Sequence, residues 1–193
     1  MNIFEYLLII SPSEEIKLMV MNLKRIFANR YGCEKAAGLI PHITMSNWLH
    51  NGDRETQIIS TIDRFAKTVH PFLAQFDGLG KFDAKTIFVN VFNREYFSEI
   101  SKGLKNSTNY LLKNDAKFPS PAHLTIARDM KPEQFEQAWS EYGNEEFEAF
   151  CKVEGMVLLK RPFSKDGYKK YEVVAEFPFE GKKPRVEQLE LGF

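Results

Sequence analysis

Residues 3–10 (Ile-Phe-Glu-Tyr-Leu-Leu-Ile-Ile) form a short apolar run rich in aromatic and branched side chains, which predicts a buried strand. Ser11-Pro12-Ser13-Glu14-Glu15 then supplies a hydroxyl cap followed by two acids, the chemistry of a helix N-terminus. Ile16, Met19, Val20, Leu23, Phe27 and Tyr31 recur at helical spacing, and Gly32 closes the helix as its C′ residue. Residues 39–48 predict a second strand. Asp53 caps a second helix with the stripe Ile58, Ile59, Ile62, Phe65, Ala66 and Val69. Residues 72–76 and 86–92 then read as a hairpin with Gly78 and Gly80 in its connection.

After that the order begins again. Strand 86–92 leads through Asn93 into a helix bearing Tyr96, Phe97, Ile100, Leu104 and Leu111. A linker with Pro119 and Pro121 precedes a strand at 122–128, and Pro132 opens a helix with Phe135, Ala138 and Trp139. A terminal hairpin pairs 147–159 with 168–177. Strand, helix, strand, helix, hairpin thus occurs twice, with strand 86–92 serving both copies. The expectation is an α+β fold in one bilobal domain over 1–180, with pseudo-symmetric halves at about 1–85 and 86–180. A charged tail with Pro184 follows at 181–193.

The duplication gives meaning to two of the four histidines. Pro41-His42-Ile43-Thr44-Met45 and Ala122-His123-Leu124-Thr125-Ile126 are both His, apolar, Thr, apolar, at the same place in each copy. On a strand, residues i and i+2 share a face, so each His stands beside its Thr while the apolar neighbours point into packing. Two lobes related by a pseudo-twofold axis would bring both pairs to one cleft. That arrangement suits chemistry at phosphorus. One imidazole takes a proton from an attacking hydroxyl or water, the other protonates the departing oxygen, and the threonines donate to non-bridging oxygens. A lone histidine on an apolar strand is more often a satisfied core residue. Two of four carrying His-x-Thr would arise by chance about one time in a hundred, and the shared flanking hydrophobics and repeat position reduce that further.

These twin His-apolar-Thr-apolar strands, about 80 residues apart in a duplicated α+β unit, resemble the 2H phosphoesterase superfamily. That superfamily includes the 2′-5′ RNA ligase-like proteins and the RNA 2′,3′-cyclic phosphodiesterases. The resemblance covers nearly the whole chain. It implies two antiparallel sheets facing across a central cleft, helices outside, and metal-independent phosphodiester chemistry without a cofactor. His42, Thr44, His123 and Thr125 map onto its catalytic motif. Arg128 matches family members with an arginine near the phosphate, whereas Met45-Ser46-Asn47-Trp48 offers no basic counterpart in the first motif. By strict alternation Arg128 would face away from His123. For hydrolysis of a cyclic phosphate, His123 is assigned water activation and His42 the leaving oxygen, with the reverse nearly equal. Ligation would use the same relay, with a 5′-hydroxyl attacking the cyclic phosphate.

Composition narrows the substrate. With 26 Lys+Arg against 26 Asp+Glu in 193 residues the net charge is zero, which argues against a broad nucleic-acid footprint but not against one phosphate. The expected partner is an RNA terminus or a small cyclic nucleotide. Residues 160–170 mix five cations with two aromatics, so Arg161, Phe163 and Tyr168 are candidates for a substrate-binding lip, against the simpler reading of a solvated turn. Glu5 and Asn90 interrupt apolar strands, and the reading favoured for them is a water-exposed edge rather than the cleft floor. No stretch approaches the roughly 20 apolar residues of a membrane span. Cys33 and Cys151 are too few for a disulfide framework. The expectation is a cytoplasmic monomer with no metal, no membrane association and no obligate protein partner. The alternative to an enzyme is a non-catalytic nucleotide- or RNA-binding module of the same fold.

Overall fold

The structure is a computed structural model and describes residues 3–112, 115–164 and 169–183. Among these, β1 (Phe4–Ile10), β2 (Ile43–His50), β7 (Gly155–Pro162) and β8 (Glu172–Pro178) form one antiparallel sheet in the order β2-β1-β7-β8. A second antiparallel sheet, β5-β4-β3-β6, contains β3 (Phe72–Phe82), β4 (Thr86–Val91), β5 (His123–Ala127) and β6 (Glu148–Val153). The helices are α1 (Glu14–Tyr31), α2 (Glu55–Ala66), α3 (Arg94–Leu112) and α4 (Pro132–Tyr142). This is an α+β fold of two four-stranded sheets and four helices.

The duplication shows as β1 beside β2 in one sheet and β4 beside β5 in the other. The two sheets do not follow the two chain halves. β3, from the first half, joins β4, while β7 and β8, from the second, join β1. Each half lends strands to the other's sheet, so neither sheet is complete from one half alone.

Local chemistry explains most elements. Ser13 caps α1 by accepting from the Ile16 N–H, and Gly32 closes it in the left-handed conformation at φ 66°. The buried stripe of α1 is Ile16, Val20, Lys24, Phe27 and Tyr31, so a lysine occupies a core position where the expected Met19 is exposed. Asp53 is not the cap of α2; Arg54 holds that position.

Three other expectations change. Gly78 and Gly80 lie inside β3, not in a turn, and the chain reverses at Asp83 and Ala84, both with positive φ. Gly80 is required because a Cβ there would stand 2.5 Å from Phe88 and Asn90 side-chain atoms. The strand expected at 147–159 is two strands, β6 and β7, in different sheets. The crossing falls at Gly155, where a Cβ would meet the Phe177 carbonyl at 2.6 Å. Finally, Glu5 and Asn90 are not on edges, since β1 and β4 are both flanked on two sides. Tyr168 and residues 184–193 of the expected tail lie outside the described residues.

Candidate active site

His42 immediately precedes β2 and His123 opens β5, so the two motifs occupy the edge strands of the two sheets, which contact one another. Ile43, Met45, Leu124 and Ile126 are buried, as strand alternation requires, which leaves both His-Thr pairs on the opposite, half-buried faces. Each strand carries a bulge directly after its threonine. In β2 the pairing with β1 steps from Ile9↔Thr44 to Leu8↔Ser46, and in β5 the pairing with β4 steps from Phe88↔Thr125 to Ile87↔Ala127. Each bulge inserts an extra inward residue, so Met45 and Ser46 are both buried, as are Ile126 and Ala127. Alternation resumes out of phase. Arg128 therefore returns to the face of His123 and Thr125, and its counterpart Asn47 to the face of Thr44. The strict-alternation argument against Arg128 fails for this reason.

The two imidazoles are held alike. His42 Nδ1 lies 2.8 Å from the Ile40 carbonyl and His123 Nδ1 lies 2.8 Å from the Pro121 carbonyl, in each case two residues upstream. A carbonyl only accepts, so Nδ1 carries the hydrogen and Nε2 is the unprotonated nitrogen of the neutral ring. Burial pushes the His42 imidazole below its ordinary value; the Ile40 bond opposes this, and the charges of Lys24, Arg128 and His123 add to the depression. Burial likewise lowers His123, opposed by the Pro121 bond. The surroundings differ, however. His123 rests against the rings of Phe82 and Phe88, each with its centroid 5.0 Å away. Neither threonine hydroxyl has a hydrogen-bond partner among the described residues.

Beyond Thr44 the same face of the first sheet continues through Asn47, Leu7 and Leu159 to Glu5, Leu49 and Arg161, because antiparallel partners share a face. Arg161 Nε donates to Glu5 at 2.7 Å, and its guanidinium stacks 4.3 Å from the Tyr171 ring. Burial and the Glu5 carboxylate hold the Tyr171 phenol above its ordinary range, while Arg161 and Arg128 act against the shift. Glu5, Asn47, Leu49, Lys117, Arg161 and Phe163 contribute to a cavity of about 560 Å³. Phe163 is an exposed aromatic on its rim. A smaller cavity of about 210 Å³ reaches Thr44 from α3, with Ser98, Ser101, Lys102 and Ser120 in its wall.

Sequence patterning missed Lys24, Tyr171 and the Phe82–Phe88 wall. Lys24 had a detectable signal, since it stands four residues after Val20 and three before Phe27 on the buried stripe. Tyr171 had none, because its partners Glu5 and Arg161 are remote in sequence or face-dependent. Among the described residues no cluster of three or more His, Cys, Asp or Glu is placed to hold a metal ion. No helix among them is long and apolar enough to cross a membrane.

The fold has close parallels. TT0787 of Thermus thermophilus matches with a TM-score of 0.65 at 18% identity, over 93% of this chain and 100% of that one. Escherichia coli LigT, in its complex with 3′-AMP, matches with a TM-score of 0.68 at 12% identity, over 92% and 99%. Kluyveromyces marxianus Usb1 is more distant, with a TM-score of 0.53 at 9% identity over 91% and 97%. No curated protein matches the sequence. The family model for the 2′-5′ RNA ligase superfamily matches residues 12–162, a span that contains both His-x-Thr motifs and the strands β2 and β5 that carry them. The chain therefore belongs to the 2′-5′ RNA ligase superfamily, within the wider group of 2H phosphoesterases and RNA ligases.

Proposed function

We propose that the chain is a metal-independent phosphodiesterase acting on 2′,3′-cyclic phosphate or 2′-5′ phosphodiester bonds of an RNA terminus or nucleotide. The observation that carries this reading is the pairing of two Nε2 atoms with two threonine hydroxyls, unengaged among the described residues, on the edge strands of two touching sheets. A binding module needs hydroxyls and a cation at the phosphate. It does not need two imidazoles with the same bonded nitrogen and the same free one. Family membership and the 3′-AMP bound to LigT agree with a nucleotide substrate.

Cyclic-phosphate hydrolysis balances in two proton transfers. One Nε2 takes a proton from water as its oxygen bonds to phosphorus. The endocyclic P–O bond on the far side breaks, and the other imidazolium gives its proton to the released ribose oxygen. Thr44 and Thr125 donate to the non-bridging oxygens, and Arg128 offsets their charge. Arg161 is engaged by Glu5, so it shapes the floor of the larger cavity, while Arg128 pairs with no carboxylate among the described residues. Ligation to a 2′-5′ bond runs the same relay with a 5′-hydroxyl in place of water attacking the cyclic phosphate, and cleavage of that bond is the reverse.

The charges around the two imidazoles support the opposite order of roles to the one favoured from sequence. Lys24, Arg128 and His123 all discourage a positive charge on His42, whereas burial is what lowers His123, and the Pro121 bond opposes it. His42 is then the base and His123 the acid in hydrolysis.

A panel of 2′,3′-cyclic mononucleotides, cyclic-phosphate-ended RNA and 2′-5′ dinucleotides, with a His42→Ala/His123→Ala double variant as control, tests the function. Turnover of at least one substrate, lost in the control and retained in a chelator, is the expected outcome. Binding without turnover across the panel would establish the non-catalytic alternative. Phe163 serves as a separate check on the cavity: Phe163→Ala is expected to weaken nucleotide binding about tenfold by titration, the loss of one base stack. Unchanged affinity would leave the lip as a solvated turn.

A further inference from the structure

Lys24 is 3% exposed, yet no carboxylate pairs with it among the described residues. Lysine is almost never so buried without a counter-charge, because an ammonium ion loses its hydration there. Its Nζ donates one hydrogen bond among the described residues, to the Leu39 carbonyl at 2.6 Å. The charged groups that act on it or on His42 are all cationic: Arg128 after β5, His123, and Lys24 itself on His42. α1 carries Lys24 to this point because it packs along β5, the edge strand that bears the other motif.

The bond to Leu39 matters because the next residue, Ile40, supplies the carbonyl that fixes His42 Nδ1. In the second motif the equivalent carbonyl belongs to Pro121, whose own ring restricts the backbone. Segment 39–41 has a proline only after its orienting carbonyl, at Pro41. We propose that Lys24 is the positioning residue of the first motif, bracing the Leu39–Ile40 backbone that orients His42 and keeping His42 in the neutral form from which it accepts a proton. This rests on the catalytic reading given above. Two further features agree with it. Burial and the Arg128 charge bring the Lys24 ammonium down to about 8, the cost expected of a cation held without a counter-ion. A phosphate entering the cleft would supply the missing negative charge to Lys24 and Arg128 together, so the unfavourable cluster of the free protein becomes favourable in the complex.

A positioning role separates from a structural one because the two predict opposite stability. Lys24→Met keeps the apolar stem and removes the buried charge, so it is expected to melt no lower than the wild type at pH 7. In the same variant, NMR titration should show the His42 midpoint moved upward with that of His123 in place. Turnover of a 2′,3′-cyclic mononucleotide should fall about tenfold to a hundredfold in kcat, with KM little changed. In the wild type itself, His42 should titrate below His123. An unmoved His42 midpoint in Lys24→Met, undiminished kcat, or the reverse titration order in the wild type would each overturn the assignment. So would a lowered melting temperature with both midpoint and kcat unchanged. The titrations need no turnover. Absence of cyclic-phosphate activity in the wild type would therefore remove the proposed function while the His42 shift still decides on Lys24.

Discussion

His42→Ala and His123→Ala are each expected to lower kcat on a 2′,3′-cyclic phosphate by about 10³-fold or more, since each removes one of two concerted proton transfers. Neither should unfold the protein. Both side chains are half-buried at the start of edge strands, and each bonds through Nδ1 to a carbonyl that water can reach after truncation. The two losses are distinguishable by leaving group. A phosphodiester ester of p-nitrophenol departs without protonation, so it should restore much of the rate to the variant lacking the acid and none to the variant lacking the base. Rescue of His123→Ala alone supports His42 as base; rescue of His42→Ala alone returns the roles to the order favoured from sequence. The wild-type pH profile should be bell-shaped. Its acid limb reports the base, whose depressed value extends activity to lower pH than an ordinary imidazole would allow. Near-wild-type turnover in either alanine variant would end the mechanism.

Thr44→Val and Thr125→Val form the second large effect. Valine matches the shape of threonine without the hydroxyl, and neither hydroxyl has a partner among the described residues, so folding should be barely affected. In the proposed transition state each hydroxyl faces an oxygen that gains charge, and loss of one such donor is expected to cost about 10²-fold to 10³-fold in kcat. The two variants should behave alike, because the bulged strands place the threonines equivalently. Arg128 and Asn47 should not behave alike. They occupy matching positions after the bulges, yet only one is a cation, so under the proposed mechanism loss of Arg128 should cost more than loss of Asn47. A loss confined to KM in the valine variants would assign the hydroxyls to ground-state binding instead.

The differences between sequence pattern and structure have a common origin. Gly80 reads as turn punctuation because a glycine in a strand and a glycine in a loop are identical in sequence. Only the approach of Phe88 and Asn90 to its Cα shows why a side chain is excluded. Residues 147–159 read as one strand because hydrophobic alternation continues across Gly155, although the chain there changes sheets. Glu5 reads as an edge residue because its counter-ion, Arg161, lies 156 positions away. Arg128 reads as misdirected because a bulge leaves no mark in the pattern beyond the apolar pair Ile126-Ala127.

Some properties are local and repeated, and these the sequence determined alone. A strand's period of two decides that His42 and Thr44 share a face, as do His123 and Thr125, and duplication makes the coincidence meaningful. The α+β class, most helix boundaries and the two His-x-Thr pairs follow from such short-range rules. The exchange of strands between halves, the phase shift that turns Arg128 inward, the Glu5–Arg161–Tyr171 floor and the burial of Lys24 beside His42 depend on contacts between distant segments. Nothing in the neighbouring residues encodes those contacts. They exist only once the two sheets close on one another, where burial and adjacent charge give ordinary histidines unequal surroundings.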